Sequence, residues 1–182
     1  MATALLVVDM QSFFSSMTTK ALPNVLKLVS HFHSQALPVF FTQHGHTKEE
    51  LSPPYPNPLV RKWGPDGSIA IGSAEWKLQP EIEEVCKADE LVPKNTYDAF
   101  INTQLEAKLK DAWVCRVVVC GTMTDCCCDT TARSAFNRGF ETWLVDDACG
   151  TANEKQHKAG LRGFGFAFGE IMMTKDVLQK LP

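Results

Sequence analysis

The chain predicts an α/β fold in which helices cover both faces of a parallel sheet. Two observations carry that reading: short β-branched apolar runs without polar alternation, and between them segments whose apolar residues recur at helical spacing. A strand buried on both faces cannot alternate between core and water, so unbroken runs such as Leu5-Leu6-Val7-Val8 and Val117-Val118-Val119 point to a covered parallel sheet. Ala4 to Val8 reads as the first strand. Pro23 then opens a helix from Asn24 to Ala36, with Val25, Leu28, Val29 and Phe32 on one face, and Pro38 to Thr42 is the second strand. His44 to Gly72 follows, carrying Pro53, Pro54, Pro56, Pro58 and Pro65 together with Trp63; it is too long and irregular for a plain connection and reads as a lid or substrate-facing loop. Ser73 to Lys87 reads as a helical segment broken by Pro80, Leu91 to Lys94 as a short strand, and Thr103 to Ala112 as a helix with Leu105 and Leu109 inward. Arg116 to Cys120 is the strongest strand signal, and Thr124 to Asn137 is the helix it feeds, stopped at Gly139. Glu141 to Val145, Glu154 to Gly163, Glu170 to Thr174 and Lys175 to Leu181 continue as strand, helix, strand and terminal helical turn. Neither repeat nor linker nor low-complexity tract divides the sequence, so residues 1–182 read as a single domain.

Composition narrows the class. At 45% hydrophobic and 21% charged, the chain has the balance of an ordinary globular protein with a full core. A formal net charge of −3, with Lys and Arg scattered, gives no basic face for a nucleic acid. No run approaches the roughly 18 apolar residues needed to cross a membrane, and the opening run reaches Asp9 too early for a signal peptide, so a cytoplasmic location is expected. Seven cysteines, an odd number with three consecutive, make a poor disulfide framework and read as reduced thiols. Consecutive Cys126-Cys127-Cys128 also lacks the two-residue gap of a zinc knuckle.

Ligands of open parallel sheets bind beyond the carboxyl ends of the strands, which makes polar residues there the candidates for chemistry. Asp9 follows the first strand, Lys94 ends the strand from Leu91, and Cys127 lies one turn beyond Val117-Val118-Val119. Taken singly, each has a plain structural explanation: a strand-end cap, a solvated lysine, a small core hydrophobe. Together they supply a nucleophile, a general base for its proton, and a cation that lowers the thiol pKa and holds the acid ionised. Thr124 or Asp125 is expected as the N-cap of the helix, and the first-turn position is expected to acidify at least one of the three cysteines.

Three ordered blocks carry a resemblance: Leu6-Val7-Val8-Asp9-Met10-Gln11, then Lys94-Asn95-Thr96-Tyr97-Asp98-Ala99-Phe100, then Cys120-Gly121-Thr122-Met123-Thr124-Asp125-Cys126-Cys127-Cys128-Asp129-Thr130-Thr131-Ala132-Arg133. In order and spacing, over nearly the whole chain, they resemble the isochorismatase-like cysteine hydrolases. The resemblance implies a three-layer sandwich with about six parallel strands, Asp9 as general base, Lys94 as its partner and Cys127 as nucleophile. It also implies a cis peptide at Thr122-Met123, with the N–H groups of Met123 and Cys127 as an oxyanion hole. Cys126 and Cys128 are not expected in the site, because successive helical residues point about 100° apart.

His44-Gly45-His46 follows the second strand, where metal-dependent nicotinamidases of this superfamily carry an acid-x-histidine pattern; here histidine stands in the acid's place. Zinc needs three or four protein ligands, and only Asp66 and His157 offer a third, so the reading is no cofactor and no metal, with a divalent ion at His44/His46 as the alternative. His44 or His46 is then a donor to a substrate carbonyl. Gln11 and Phe14, just past the first strand, are further candidates for substrate contact, and Trp63, Tyr97 and Phe100 are candidates for an apolar wall against a flat ligand.

The function expected is hydrolysis of a carbon–nitrogen bond in a small-molecule amide through a thioester on Cys127. The alternatives are isochorismate-type vinyl ether hydrolysis, which needs Asp9 but not the thiol, a nicotinamidase, and a non-catalytic binding scaffold. Thr42 to His46 and the Arg61-Lys62-Trp63-Gly64 stretch read as closer to the general isochorismatase-like group than to nicotinamidases. Homo-oligomers are usual among proteins of this kind, and Phe164, Phe166 and Phe168, set between Gly163, Gly165 and Ala167, read as a subunit contact or a core corner.

Overall fold

A computed structural model describes residues 2–181. Six strands, β1 (Ala2–Val8), β2 (Val39–His44), β3 (Leu91–Lys94), β4 (Val114–Thr122), β5 (Glu141–Gly150) and β6 (Glu170–Met172), form one sheet in the order β3-β2-β1-β4-β5-β6, with every neighbouring pair parallel. Among the described residues eight α-helices accompany them: α1 (Ser15–Thr18), α2 (Leu22–Ser34), α3 (Pro58–Trp63), α4 (Pro80–Glu83), α5 (Leu105–Asp111), α6 (Asp129–Asn137), α7 (Glu154–Ala167) and α8 (Thr174–Lys180).

The period-2 geometry of a strand sends alternate residues to opposite faces. Leu6 and Val8 of β1 pack with Val117 and Val119 against Leu105 and Leu109 of α5, Ala132 and Ala135 of α6, and Leu161 and Phe164 of α7. Leu5 and Val7 pack with Val118 and Cys120 against Val25, Leu28, Val29 and Phe32 of α2, Ile82 of α4 and Val177 of α8. The result is three layers, as the apolar runs require. The chain travels outward from β1 to β3 and then crosses back to β4 beside β1, so strand order reverses between β1 and β4 and opens a crevice at their carboxyl ends.

Several boundaries differ from the sequence reading for identifiable reasons. Ser73 to Lys87 is not a broken helix: Pro80 begins α4 at its first turn, where its missing N–H costs nothing, and the residues before it run as turns and bends through Lys77, with Leu78 bridged to Gln11 and Gln79 extended. Their carbonyls are already engaged, since Ser12 N–H donates to Lys77 O, and Phe13 N–H to Glu75 O. The proline-rich insert is tied down, with α3 capped by Asn57 Oδ1 on Leu59 N–H and His46 bridged to the stretch around Ala70. β5 continues five residues past Val145, bulging between Leu144, which pairs with Val119, and Cys149, which pairs with Gly121. α7 extends through the phenylalanine triplet, which therefore follows helical rather than alternating geometry: Phe164 is core, and Phe166 is 90% exposed. Among the described residues no helix is long and apolar enough to cross a membrane.

Gly121 fixes how β4 meets β1. Its φ is +114°, and a Cβ there would stand 2.2 Å from Val8 O. Only glycine allows the two backbones to run this close while the chain turns out of the sheet toward Cys127.

Candidate active site

Asp9 leaves β1 with φ +47°, a left-handed conformation that turns its carboxylate over the sheet edge. Thr42 of β2 holds it twice: its hydroxyl accepts from Asp9 N–H at 3.0 Å and donates to Asp9 Oδ1 at 2.6 Å. Lys94, the last residue of β3, lies one strand further out, in register with His44, and its long stem spans the end of β2. Its Nζ lies 2.7 Å from Asp9 Oδ2, donates to Thr96 O at 2.8 Å, and stands 3.7 Å from Cys127 Sγ. The three sequence-predicted groups therefore meet at one point. The Asp9 and Lys94 side chains have no exposed surface, and Cys127 retains 5%.

Burial sets the electrostatics. It works against the Lys94 ammonium, but Asp9 and Cys127 beside it more than offset that penalty and push its pKa up. Burial also raises the Cys127 thiol well above the ordinary cysteine range; Lys94 pulls it down without matching that rise, and Asp9 adds to it. The expected acidification does not occur. Cys126, half-buried, is pushed up to about 11 by burial and by Asp125 and Asp129, and Cys128 is a fully enclosed core thiol. The resting nucleophile candidate is thus a neutral thiol beside an ion pair, and it needs a base at the moment of reaction.

The turn that carries Cys127 also departs from expectation. Thr124–Cys128 is a π-helical turn with Met123 at its N-cap, and neither Thr124 nor Asp125 caps it. Both side chains are used elsewhere. Thr124 Oγ1 lies 2.9 Å from His157 Nδ1, and His157 Nε2 lies 2.8 Å from Asp146 Oδ1. Asp125 accepts from Thr151 at 2.6 Å and from Gln156 at 2.9 Å. β5 and α7 thereby clamp the turn, and the peptide before it, Thr122-Met123, is cis. A cavity of about 730 Å³ opens beside this clamp, lined by Asp146, Cys149, Asn153 and His157. Thr124 has no exposed surface, so its histidine–carboxylate chain serves as a brace and not as a nucleophile.

His44 and His46 face each other, Nε2 to Nε2 at 3.0 Å, and both are buried. Burial and Lys94 push His44 down to about 3, and burial likewise lowers His46. Glu50 Oε2 stands 3.4 Å from His46 Nδ1. No set of three His, Cys, Asp or Glu side chains among the described residues is placed to hold a metal ion. His157 is committed to Thr124 and Asp146, and Asp66 is exposed in the insert, so the third ligand that a zinc ion needs does not join the pair.

The remaining candidates divide. Gln11 is a brace, not a substrate contact: its Nε2 donates to His44 O and Trp76 O at 2.8 and 2.7 Å, and its Oε1 accepts from His44 N–H at 2.8 Å. Phe14 is buried edge-on to Phe13. Phe100 is turned into the core, stacked on Phe140 with the Arg138 guanidinium over its ring, and is not a wall of the site. Trp63 is 52% exposed, with its Nε1 donating to Tyr97 Oη at 2.8 Å. Burial raises the Tyr97 hydroxyl, and Cys126 and Cys127 are close enough to add to that rise. Thr42 as the holder of Asp9, and His157 as the brace of Thr124 rather than a third metal ligand, escaped the sequence reading, since nothing local marks a contact made across 33 residues.

The sequence profile of the Isochorismatase domain matches residues 3–176. The Arabidopsis thaliana protein named Nicotinamidase 3 is 39% identical over 170 residues, covering 93% of this chain and 83% of its own length. That degree of identity runs against the expected distance from nicotinamidases. The crystal structure of N-carbamoylsarcosine amidase from Thermoplasma acidophilum is 25% identical, with a TM-score of 0.80 over 96% of this chain and 97% of that one. The cysteine hydrolase from Pseudomonas syringae pv. phaseolicola shares the fold with a TM-score of 0.87 at 22% identity, over 98% of this chain and 91% of that one.

Proposed function

This chain belongs to the isochorismatase family of hydrolases, and from that premise we propose that it hydrolyses the carbon–nitrogen bond of a small amide through a thioester on Cys127. The observation that carries the reading is the enclosed Asp9–Lys94–Cys127 cluster, with its 2.7 Å ion pair and its thiol 3.7 Å from the ammonium. As sulfur attacks the carbonyl carbon, Asp9 takes the thiol proton, and Lys94 keeps that carboxylate in place. The Met123 and Cys127 N–H groups receive the developing oxyanion; one such donor is typically worth about 3 kcal/mol. Collapse breaks the carbon–nitrogen bond, and Asp9 passes its proton to the leaving nitrogen. Water then adds to the thioester, giving a proton to Asp9, and the acid leaves as sulfur recovers its proton. Similarity to a nicotinamidase, together with the half-exposed Trp63 held to Tyr97, supports a planar, ring-bearing acyl group and makes nicotinamide the first substrate to try.

The test is product release by wild type, Cys127→Ala and Asp9→Asn from nicotinamide, benzamide, acetamide and isochorismate. Ammonia release that falls at least about a thousandfold in both variants is the expected result. Full amide hydrolysis by Cys127→Ala overturns the mechanism. Pyruvate release from isochorismate that survives Cys127→Ala but not Asp9→Asn moves the protein to vinyl ether hydrolysis, where the carboxyl group acts as an acid and the thiol is idle.

A further inference from the structure

We propose that His157 is a positioning residue for the reaction: by drawing the Thr124 hydroxyl to α7 it keeps that oxygen from capping Cys127 N–H, and so leaves the oxyanion donor open. The inference rests on the amide-hydrolase reading of the site and deepens it.

Thr124 stands three residues before Cys127, the interval at which a threonine at the start of a helix accepts from a backbone N–H and closes the first turn. A cap of that kind would occupy the N–H that the reaction needs. Backbone bonding leaves the same group free. Met123 O takes Cys126 N–H and Cys128 N–H at 3.1 and 3.0 Å, and among the described residues the bond an α-helix would make between them, from Cys127 N–H to that carbonyl, is not formed. The π-helical spacing steps over Cys127, and the Thr124 hydroxyl on the same turn is the competitor to be kept away.

His157 does so through two hydrogen bonds. A carboxylate only accepts, so His157 Nε2, 2.8 Å from Asp146 Oδ1, carries the ring proton. The neutral ring then has a lone pair at Nδ1, and Thr124 Oγ1, 2.9 Å away, donates its hydrogen there. That bond fixes the Thr124 side chain toward α7, and no side chain caps the turn. Gly160, one helical turn on from His157, lets α7 come close enough: a Cβ there would stand 2.9 Å from Asp125 Cα. Asp125 is drawn off in the same way by Thr151 and Gln156, so both oxygen-bearing side chains at the start of the turn are engaged outside it. Thr124 has no exposed surface. With an apolar side chain at 157 its hydroxyl loses the imidazole, and the N–H groups of its own turn become its partners.

The experiment measures kcat and KM on whichever of nicotinamide, benzamide and acetamide the wild type hydrolyses fastest, for wild type, His157→Leu, His157→Gln, Thr124→Val and the double variant His157→Leu/Thr124→Val. In His157→Leu, kcat is expected to fall about 10- to 100-fold with KM within about 3-fold, a smaller loss than deleting an oxyanion donor outright. His157→Gln, whose side-chain carbonyl again accepts from Thr124, is expected to fall less. The deciding result is the double variant: removing the intruding hydroxyl is expected to raise kcat at least about 5-fold above His157→Leu. A histidine that only stabilises the fold predicts a double variant no faster than His157→Leu. Thermal unfolding identifies any variant that has lost its fold; should His157→Leu be one, His157→Met, alone and with Thr124→Val, takes its place. No loss in the folded single variant, or no recovery in the double, overturns the inference alone. Wild type that releases ammonia from none of the three amides overturns the amidase reading and the inference with it.

Discussion

Cys127 sits where burial favours its neutral thiol. Burial raises the thiol, and the Lys94 charge is largely spent on Asp9 at 2.7 Å, so the sulfur sees a neutralised pair rather than a free cation. Alkylation by iodoacetamide, followed residue by residue, is therefore expected to be slow at Cys127 at pH 6 to 7 and no faster than at half-buried Cys115 or Cys126; preferential labelling of Cys127 near pH 6 would show a preformed thiolate. The sequence misled on this point because the first turn of a helix suggests acidification, while the depth of the site is a property of the whole fold. Identity was easier to read than environment. Asp9, Lys94 and Cys127 each stand in a local pattern at a strand end, whereas the partners that define their state, Thr42 and Thr96 O among them, carry no sequence signal of their own.

At the scale of elements, the passage from β4 into the π-turn is the decisive piece. Gly121→Ala places a methyl group 2.2 Å from Val8 O at a φ of +114°, and backbone, unlike a flexible side chain, cannot swing away. The variant is expected to lose at least about 2 kcal/mol in urea unfolding and to lose turnover disproportionately, since the same shift moves Cys127 away from Lys94. Stability within about 0.5 kcal/mol of wild type would mean that the close approach is not required. Strands were legible as apolar runs, and α2 as an amphipathic stripe whose Val25, Leu28, Val29 and Phe32 are all buried. Ser73 to Lys87 was misread because a run of turns held by the Ser12 and Phe13 N–H groups leaves no periodicity of its own. The helix from Glu154 was ended at Gly163, four residues early, because alternation of phenylalanine with glycine hides a helical repeat.

For the whole molecule, the order β3-β2-β1-β4-β5-β6 places the carboxyl ends of β1, β2, β3 and β4 around one crevice, which is why residues as far apart as 9, 94 and 127 meet. Unbroken apolar runs between helix-period segments foretold the layers; the strand order and the insert's path depend on long-range packing that no window of sequence contains. Global stability is expected to fall on both sides of neutrality. His44, held down to about 3 by burial, is neutral when folded but takes a proton near pH 6.5 when unfolded, so its contribution is present above about pH 6.5 and is lost at about 1.4 kcal/mol per pH unit as pH drops toward 3. The raised thiols Cys120, Cys127 and Cys128 act in the opposite sense: the unfolded chain releases their protons near pH 8.5 while the folded one keeps them, so stability declines as pH rises beyond that point. Urea midpoints from pH 4 to 10 check both limbs, and His44→Gln should flatten the acid one; an unchanged acid limb would contradict the burial of a neutral imidazole.

The most direct measurement is intact-mass spectrometry of protein quenched in acid during turnover of nicotinamide, with peptide mapping of any adduct. The thioester account predicts a nicotinoyl group on Cys127, absent in Cys127→Ser and lost in step with nicotinate release. Turnover with no adduct in any quench, or an adduct on Cys126 or Cys128 instead, would contradict it.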